Sequence, residues 1–521
     1  MRALLVVLAL ACFVFSLWLM WHTLSYDSAA STILVGGKYW SDFGGHLPQI
    51  RSFSFGSNWP PEYPLYPGEP IRYHFLFYAL VGLLEKSGLR LDYALNLPSS
   101  LGFFCLLLMI FTLAKRLFHR TSVGLLSVVF FLFNGSFSWF DHLKNYHFSL
   151  TDSITALSSL SRFPAFGPWN GSSIAAFWNL NIYTNQRHLG LSFALALVVL
   201  YLLVARRHLY LVGFLIGLLL FLNLAAAAAA ALFAVWFFLT SQAVRRPLVL
   251  SVVGFIPWLI ASVLLIHPSS ALSFQPGFLY PGPFHPLTFM WYLITNFGLH
   301  LILIPLGVVL APKRLKLLAL PLLALFLVPF LFRLSTDMIN NHKFINFFLI
   351  IGAMYSAYAL VRIKPLLILF PLLVLGGVVD FFPVKNDHYL TVIDYPKNPD
   401  VSFYVYSTPK NSVVLNSTWF YHPASIAGRK IYNGYSYFTW SFGYDQVARE
   451  QATLAIYQAS SKAEACQLLT RQHINYVELS ANPESFLAPS LNLWHTQFIP
   501  AYTNPKTHLS VYSVFANCHD S

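Results

Sequence analysis

From residue 3 to residue 382 the chain repeats one pattern, an apolar run followed by a short break and another apolar run. A helix needs ~20 such residues to cross a bilayer. The first run, ALLVVLALACFVFSLWLMW, meets that length; it ends in Trp18 and Trp21 and lacks a small-x-small cleavage site, so it is expected to be retained. Further candidates lie at 97–118, 121–140, 189–205, 209–223, 224–242, 248–266, 288–311, 316–333, 343–361 and 364–382. In hydrocarbon every backbone N–H and C=O must pair internally, which leaves helices or closed barrels. The runs are continuous rather than alternating, so the expectation is an α-helical polytopic membrane protein with about eleven spans. Composition agrees, since 10% of the residues are charged against about 25% in soluble proteins.

Orientation follows from the breaks. Lys115, Arg116 and Arg120, then Arg206–Arg207, Arg245–Arg246, Lys313–Arg314–Lys316 and Arg362–Lys364 all fall in very short loops. A cytoplasmic N-terminus places every one of them in the cytoplasm, as the positive-inside rule requires. Treating the block around Asn223 as one helix breaks this agreement, so two helices are expected there. The net charge of +13 therefore marks orientation, and nucleic acid is not an expected partner. The long segments, 22–96, 141–188, 267–287, 334–342 and everything after about 383, fall outside the cytoplasm. Residues 73–88 form a short apolar stretch expected to lie in the outer interface. Two domains are expected, a membrane domain at 1–382 with a large first outer loop at 22–96, and a soluble domain at 383–521. In the second, 412–418 and 474–480 read as strands with helices between them, which suggests a small α/β domain. Outside the cytoplasm Cys466 and Cys518 could pair or remain free thiols.

Acids are scarce before residue 383, and SDFGGHLPQIRSF sets Asp42 four residues from His46. On a helix the two share one face. A helix cap and a catalytic pair are equally open readings of this stretch alone. NWPPEYPLYPGEPIRYHF adds Glu62, Arg72 and His74 among prolines and aromatic rings. Arg187 and His188 stand at the outer start of one span; Arg333, Asp337, Asn341, His342 and Lys343 stand between two others. Basic pairs on the outer side depart from the usual bias, and an anionic ligand explains them better than lipid phosphates, Arg supplying planar paired donors. In the tail, Tyr435, Trp440 and Asp445 belong to a polar and aromatic cluster that suits a glycan acceptor or ordinary packing.

A base candidate, phosphate-binding cations and aromatic loops at one membrane face point to sugar transfer from a lipid phosphate to a hydroxyl. The first helix with its Asp-bearing outer loop, the PPEYPLYPGEPIRYHF segment and the many later helices resemble the GT-C superfamily of polyprenyl-phosphate-sugar glycosyltransferases. RKIYNGYSYFTWSFGYDQVARE and INYVEL are similar to the ending of prokaryotic GT-C-like membrane proteins. The resemblance implies that Asp42 is the base, that a polyprenyl-phosphate-linked sugar is the donor, and that a glycan, lipid or protein at the cell envelope accepts it. The first outer loop has no Asp-Glu pair or Asp-x-Asp, a departure from the family pattern, so metal dependence does not carry over with the resemblance; Asp42 and His46 are the candidate ligands should a divalent ion (Mg or Mn) bind. The alternative is a transporter or flippase of a lipid-linked or anionic substrate. That reading expects polar or Gly/Pro-interrupted positions near the bilayer midplane, and the runs hold few beyond Asn223 and Pro257.

Overall fold

The computed structural model describes residues 2–167, 172–178, 180–267, 272–277, 280 and 282–518. It falls into two compact units. The first comprises residues 1–22, 97–262 and 270–388. Among the described residues, six helices are long and apolar enough to cross a membrane alone, and a bent pair makes a seventh. Leu5–Trp21, Thr121–Leu132, Leu211–Leu222 and Leu224–Thr240 are shorter apolar helices. Each of the eleven expected runs thus meets a helix, and the chain is a polytopic membrane protein.

Two runs differ from expectation in their course. The run at 288–311 is not one rod: Pro286–Phe297 and His300–Leu310 meet at 79°. Gly298 makes the corner with φ +52, and a Cβ there would lie 2.1 Å from the Gly135 carbonyl oxygen, so only glycine fits. The run at 121–140 stops at Leu132, where Phe133 turns extended. The Asn134 side chain then accepts from the Ser136 N–H at 3.0 Å and donates to Asp380, and a new helix begins at Ser138. The break at Asn223 is present as expected. Its backbone is extended, its Oδ1 accepts from the Ala226 N–H to cap Leu224–Thr240, and its Nδ2 lies 3.2 Å from His188 Nε2.

The second unit joins residues 23–96 and 263–269 to 389–521. The sequence grouped the first outer loop with the membrane helices; here it packs with the tail. Strands Leu24–Asp27 and Thr32–Gly36 form an antiparallel pair, and Tyr389–Ile393 of the tail adds a third strand with Leu34 opposite Thr391. A five-stranded sheet follows in the order Pro500–Asn504, Leu509–Ser513, Tyr476–Leu479, Val413–Leu415, Lys430–Ile431. Tyr476–Leu479 pairs parallel with Val413–Leu415 and antiparallel with Leu509–Ser513. Helices Gln446–Tyr457 and Lys462–Arg471 cover it through Ile456, Tyr457 and Leu469, and Trp494 of the helix Leu491–Gln497 joins the same core. Cys466 is bonded to Cys518, with Cα atoms 5.4 Å apart.

Residues 76–86 are helical, as the apolar stretch at 73–88 suggested, but the helix lies against Trp40–Ser54. Gly82 is the crossing point, where a Cβ would come within 2.6 Å of the Ile50 carbonyl oxygen. Leu80 and Leu83 face outward. Tight contact on one face and exposure on the other is the amphipathic pattern of a surface helix.

Candidate functional site

Asp42 stands in the first turn of the helix Trp40–Ser54 and His46 one turn later. A carboxylate there is favoured by the unpaired N–H groups of the helix start. Both side chains are half-buried. The glycines between them have a steric cause: a Cβ on Gly44 would lie 2.4 Å from the Phe420 ring, and one on Gly45 3.3 Å from Phe438. Tail aromatics therefore pack directly onto the helical turn that joins the acid to the imidazole.

The surroundings of Asp42 are phenolic. Tyr421 packs its ring, tilted by 51°, 4.1 Å from Trp40 and donates its hydroxyl to the Trp40 carbonyl. Tyr78 stacks 4.9 Å from His46. Burial pushes both phenols well above the ordinary tyrosine range; the negative charge of Asp42 adds to this, after Tyr73 in the case of Tyr78. Each phenol therefore stays protonated beside the Asp42 carboxylate.

The Pro-rich segment and the tail meet around this helix. Glu62 pairs with Lys430 at 2.6 Å. Arg72 pairs with Glu69 at 2.7 Å, lies over the Tyr444 ring at 4.6 Å and donates to the Gly443 carbonyl. His74 is buried, with its ring 3.6 Å from Tyr73. Tyr435 sits between Phe420 and Phe438 at 4.7 and 5.3 Å. Asp445 caps Gln446–Tyr457 by accepting from the Ala448 N–H, and Trp440 is 44% exposed. Glu62, Arg72 and Asp445 thus have evident structural work.

The sequence did not single out the group beneath. Arg51, on the same helix as Asp42, is buried with Nη2 2.8 Å from Asp394 and Nε 3.3 Å from Glu85. Ser54 donates to Glu85 at 2.6 Å. One cation held by two carboxylates from distant parts of the chain locks this unit together. No local signal joins Arg51 to a residue 343 positions later.

The other expected residues belong to the helical unit. Arg187 is buried and donates to the Met20 sulfur at 2.8 Å and carbonyl at 3.1 Å. His188 meets Asn223. Arg333 donates to the Ser335 and Thr336 carbonyls, Asp337 caps Met338–Asn341, and Asn341 donates to the Pro329 and Phe332 carbonyls. His342 stacks 4.8 Å from Phe177 and donates from Nδ1 to Asn346 at 2.6 Å; Lys343 donates to Asn340 at 2.9 Å. Arg333, Asp337 and Asn341 are therefore gathered around one short turn.

As a metal site, Asp42 and His46 offer one carboxylate and one imidazole. Among the described residues no group of three or more His, Cys, Asp or Glu is placed to hold an ion. Magnesium and manganese ask for several oxygen ligands, a poor fit to this pair.

No protein-family model matches the chain, and no curated protein matches it. Solved structures do. ArnT from Cupriavidus metallidurans in the apo state is similar over 98% of this chain and 97% of its own, with 11% identity and a TM-score of 0.50. The same protein bound to undecaprenyl phosphate is similar over 99% and 98%, with 12% identity and a TM-score of 0.48. The Archaeoglobus fulgidus oligosaccharyltransferase tethered to an acceptor peptide covers 91% of this chain and 69% of its own, at 14% identity and TM-score 0.37. The first likeness, spanning nearly the whole of both chains, shows a fold shared with ArnT.

Proposed function

We propose that this chain is a membrane glycosyltransferase that moves a sugar from a polyprenyl-phosphate donor to an acceptor hydroxyl outside the cytoplasm, with Asp42 as general base. The observation that carries the proposal is a half-buried carboxylate, set among protonated phenols and tail aromatics, in a chain with the fold of ArnT. In the reaction the acceptor oxygen attacks the anomeric carbon, its proton passes to Asp42, and the bond from that carbon to the phosphate oxygen breaks. The lipid phosphate departs with the bond's electron pair. A positioned base contributes about 10²–10⁴-fold to such a step. Arg187, His188, Arg333, His342 and Lys343 are assigned to the departing phosphate, where charge develops. Glu62, Arg72, His74, Asp337, Asn341, Tyr435, Trp440 and Asp445 are assigned to substrate binding, directly or by holding the loops that do it. His46 is the second candidate for the proton.

The Cys466–Cys518 bond supports an extracytoplasmic tail, because disulfides persist in oxidising compartments, and the basic short loops support a cytoplasmic N-terminus. Purified protein assayed with a set of polyprenyl-phosphate sugars tests the reaction. Asp42→Asn is expected to lose about 10²–10⁴-fold in turnover; undiminished turnover would remove Asp42 from the mechanism. A reporter fused after residue 390 tests orientation and is expected to be active only outside the cytoplasm.

One feature favours the transporter or flippase reading: the bent pair Pro286–Phe297 and His300–Leu310 beside a cavity of about 30 Å³ lined by Asn134, Asn296, His300 and Asn346. Movement of a lipid-linked sugar across vesicles without chemical change would establish that reading in place of transfer.

A further inference from the structure

We infer that the tail carries a track of aromatic rings that binds a neutral saccharide of several sugar units and leads it to the Asp42 helix. The inference rests on the transferase reading only in naming this saccharide the acceptor.

Phe486, Trp419, Tyr435, Tyr437 and Trp440 follow one another with ring centroids 5.5, 5.4, 6.3 and 6.1 Å apart. From Tyr435 the rings of Phe420 and Phe438 branch inward, and these are the rings that meet Gly44 and Gly45. The track therefore reaches the helix that carries Asp42 and His46. It is not a packed core. Tyr457 and Trp494 of the same unit are fully buried, whereas all five track rings keep part of their surface in water and Trp440 keeps 44%. A row of partly exposed rings that ends in an exposed tryptophan fits a binding surface better than a core.

The chemistry around the rings selects the occupant. Aromatic surfaces that dock on lipid headgroups are interleaved with Lys and Arg; residues 416–421, 433–445 and 481–490 contain neither. The same lack argues against a phosphorylated or sulfated ligand. Between and beside the rings stand Thr418, Ser436, Glu484 and Asp445, polar side chains that keep some exposure. Ring faces stack on the C–H faces of pyranoses, while hydroxyl and carboxylate groups meet the sugar hydroxyls. A row of rings offers such a face repeatedly, so affinity should rise with saccharide length.

The full chain in lipid nanodiscs, applied without donor to an array of neutral linear malto-, cello-, manno- and chito-oligosaccharides of increasing length, tests this. Expected are binding that strengthens at least tenfold from monosaccharide to the longer members of one series, and a loss of about tenfold for Trp440→Ala. Trp440→Phe, which keeps a ring, should retain most of the binding. An array that stays blank, equal binding by wild type and Trp440→Ala, or capture of unglycosylated peptides in place of saccharides would overturn the inference. Donor turnover is measured separately on the wild type. Saccharide binding by a protein that turns over none of the donors defeats the transferase reading alone; donor turnover by a protein that binds no saccharide defeats the track alone.

Discussion

The Phe420 ring lies so close to Gly44 that a single added methyl group would come within 2.4 Å of its Cδ1. Gly44→Ala must therefore displace a ring or the helix that carries Asp42, at a cost of about 1–3 kcal/mol. Gly45→Ala, with 3.3 Å to Phe438, should cost less. Thermal unfolding of both variants checks the order, and Phe420→Ala should rescue Gly44→Ala, which a double-mutant cycle would register as coupling.

Arg51 pairs with two buried carboxylates at once. Arg51→Met leaves Glu85 and Asp394 buried without their cation and is expected to lose about 3–5 kcal/mol. Replacing all three with apolar residues should recover most of that loss, because the desolvation of the charges disappears with them. Apparent melting temperatures in one detergent compare the set; a triple variant as unstable as Arg51→Met would contradict this account.

Different parts of the molecule were legible in the sequence to different degrees. The spans were, because continuous apolar runs leave a bilayer-crossing chain few alternatives. The Asn223 break was too, since the basic clusters on either side required an extra crossing. The corner at Gly298 was not, for its cause is the Gly135 backbone, brought close by folding. The union of the first outer loop with the tail was equally hidden, since Thr32–Gly36 pairs with Tyr389–Ile393 across more than two-thirds of the chain. Asp42 stood out through the scarcity of acids. Its neighbours Tyr421 and Phe420 are ordinary aromatic residues until the fold places them.

Cys466 and Cys518 close a loop spanning 52 positions. Constraint of the unfolded chain by a loop of that size is worth about 4 kcal/mol in the chain-entropy account. Cys466→Ser with Cys518→Ser should lower the melting temperature, and dithiothreitol should lower that of the wild type alone. Thiol labelling of denatured, unreduced protein from cells should modify Cys12 and Cys105 and spare the other two.

Asn223 serves two helices, capping one through Oδ1 and meeting His188 through Nδ2. Asn223→Ala should cost about 1–2 kcal/mol for the cap, with a further loss from the histidine contact. Asn223→Asp should keep the cap and lose the amide contact. Unfolding of these variants with and without His188→Ala separates the two contributions.

Burial holds the Glu85 carboxyl above its ordinary value near 4.5, although Arg51 and the Ser54 hydroxyl pull the other way. The folded chain thus binds this proton more tightly than the unfolded chain. Stability from Glu85 is fully present below its ordinary value and is lost as the pH rises through the raised one. Glu85→Gln removes this titration and leaves Arg51 paired with Asp394. Subtracting the variant's stability from that of the wild type, measured from acid to neutral pH, cancels the other titrating groups. The difference should fall as pH rises. A difference that climbs instead would mean that Arg51 and Ser54 outweigh burial at this carboxylate.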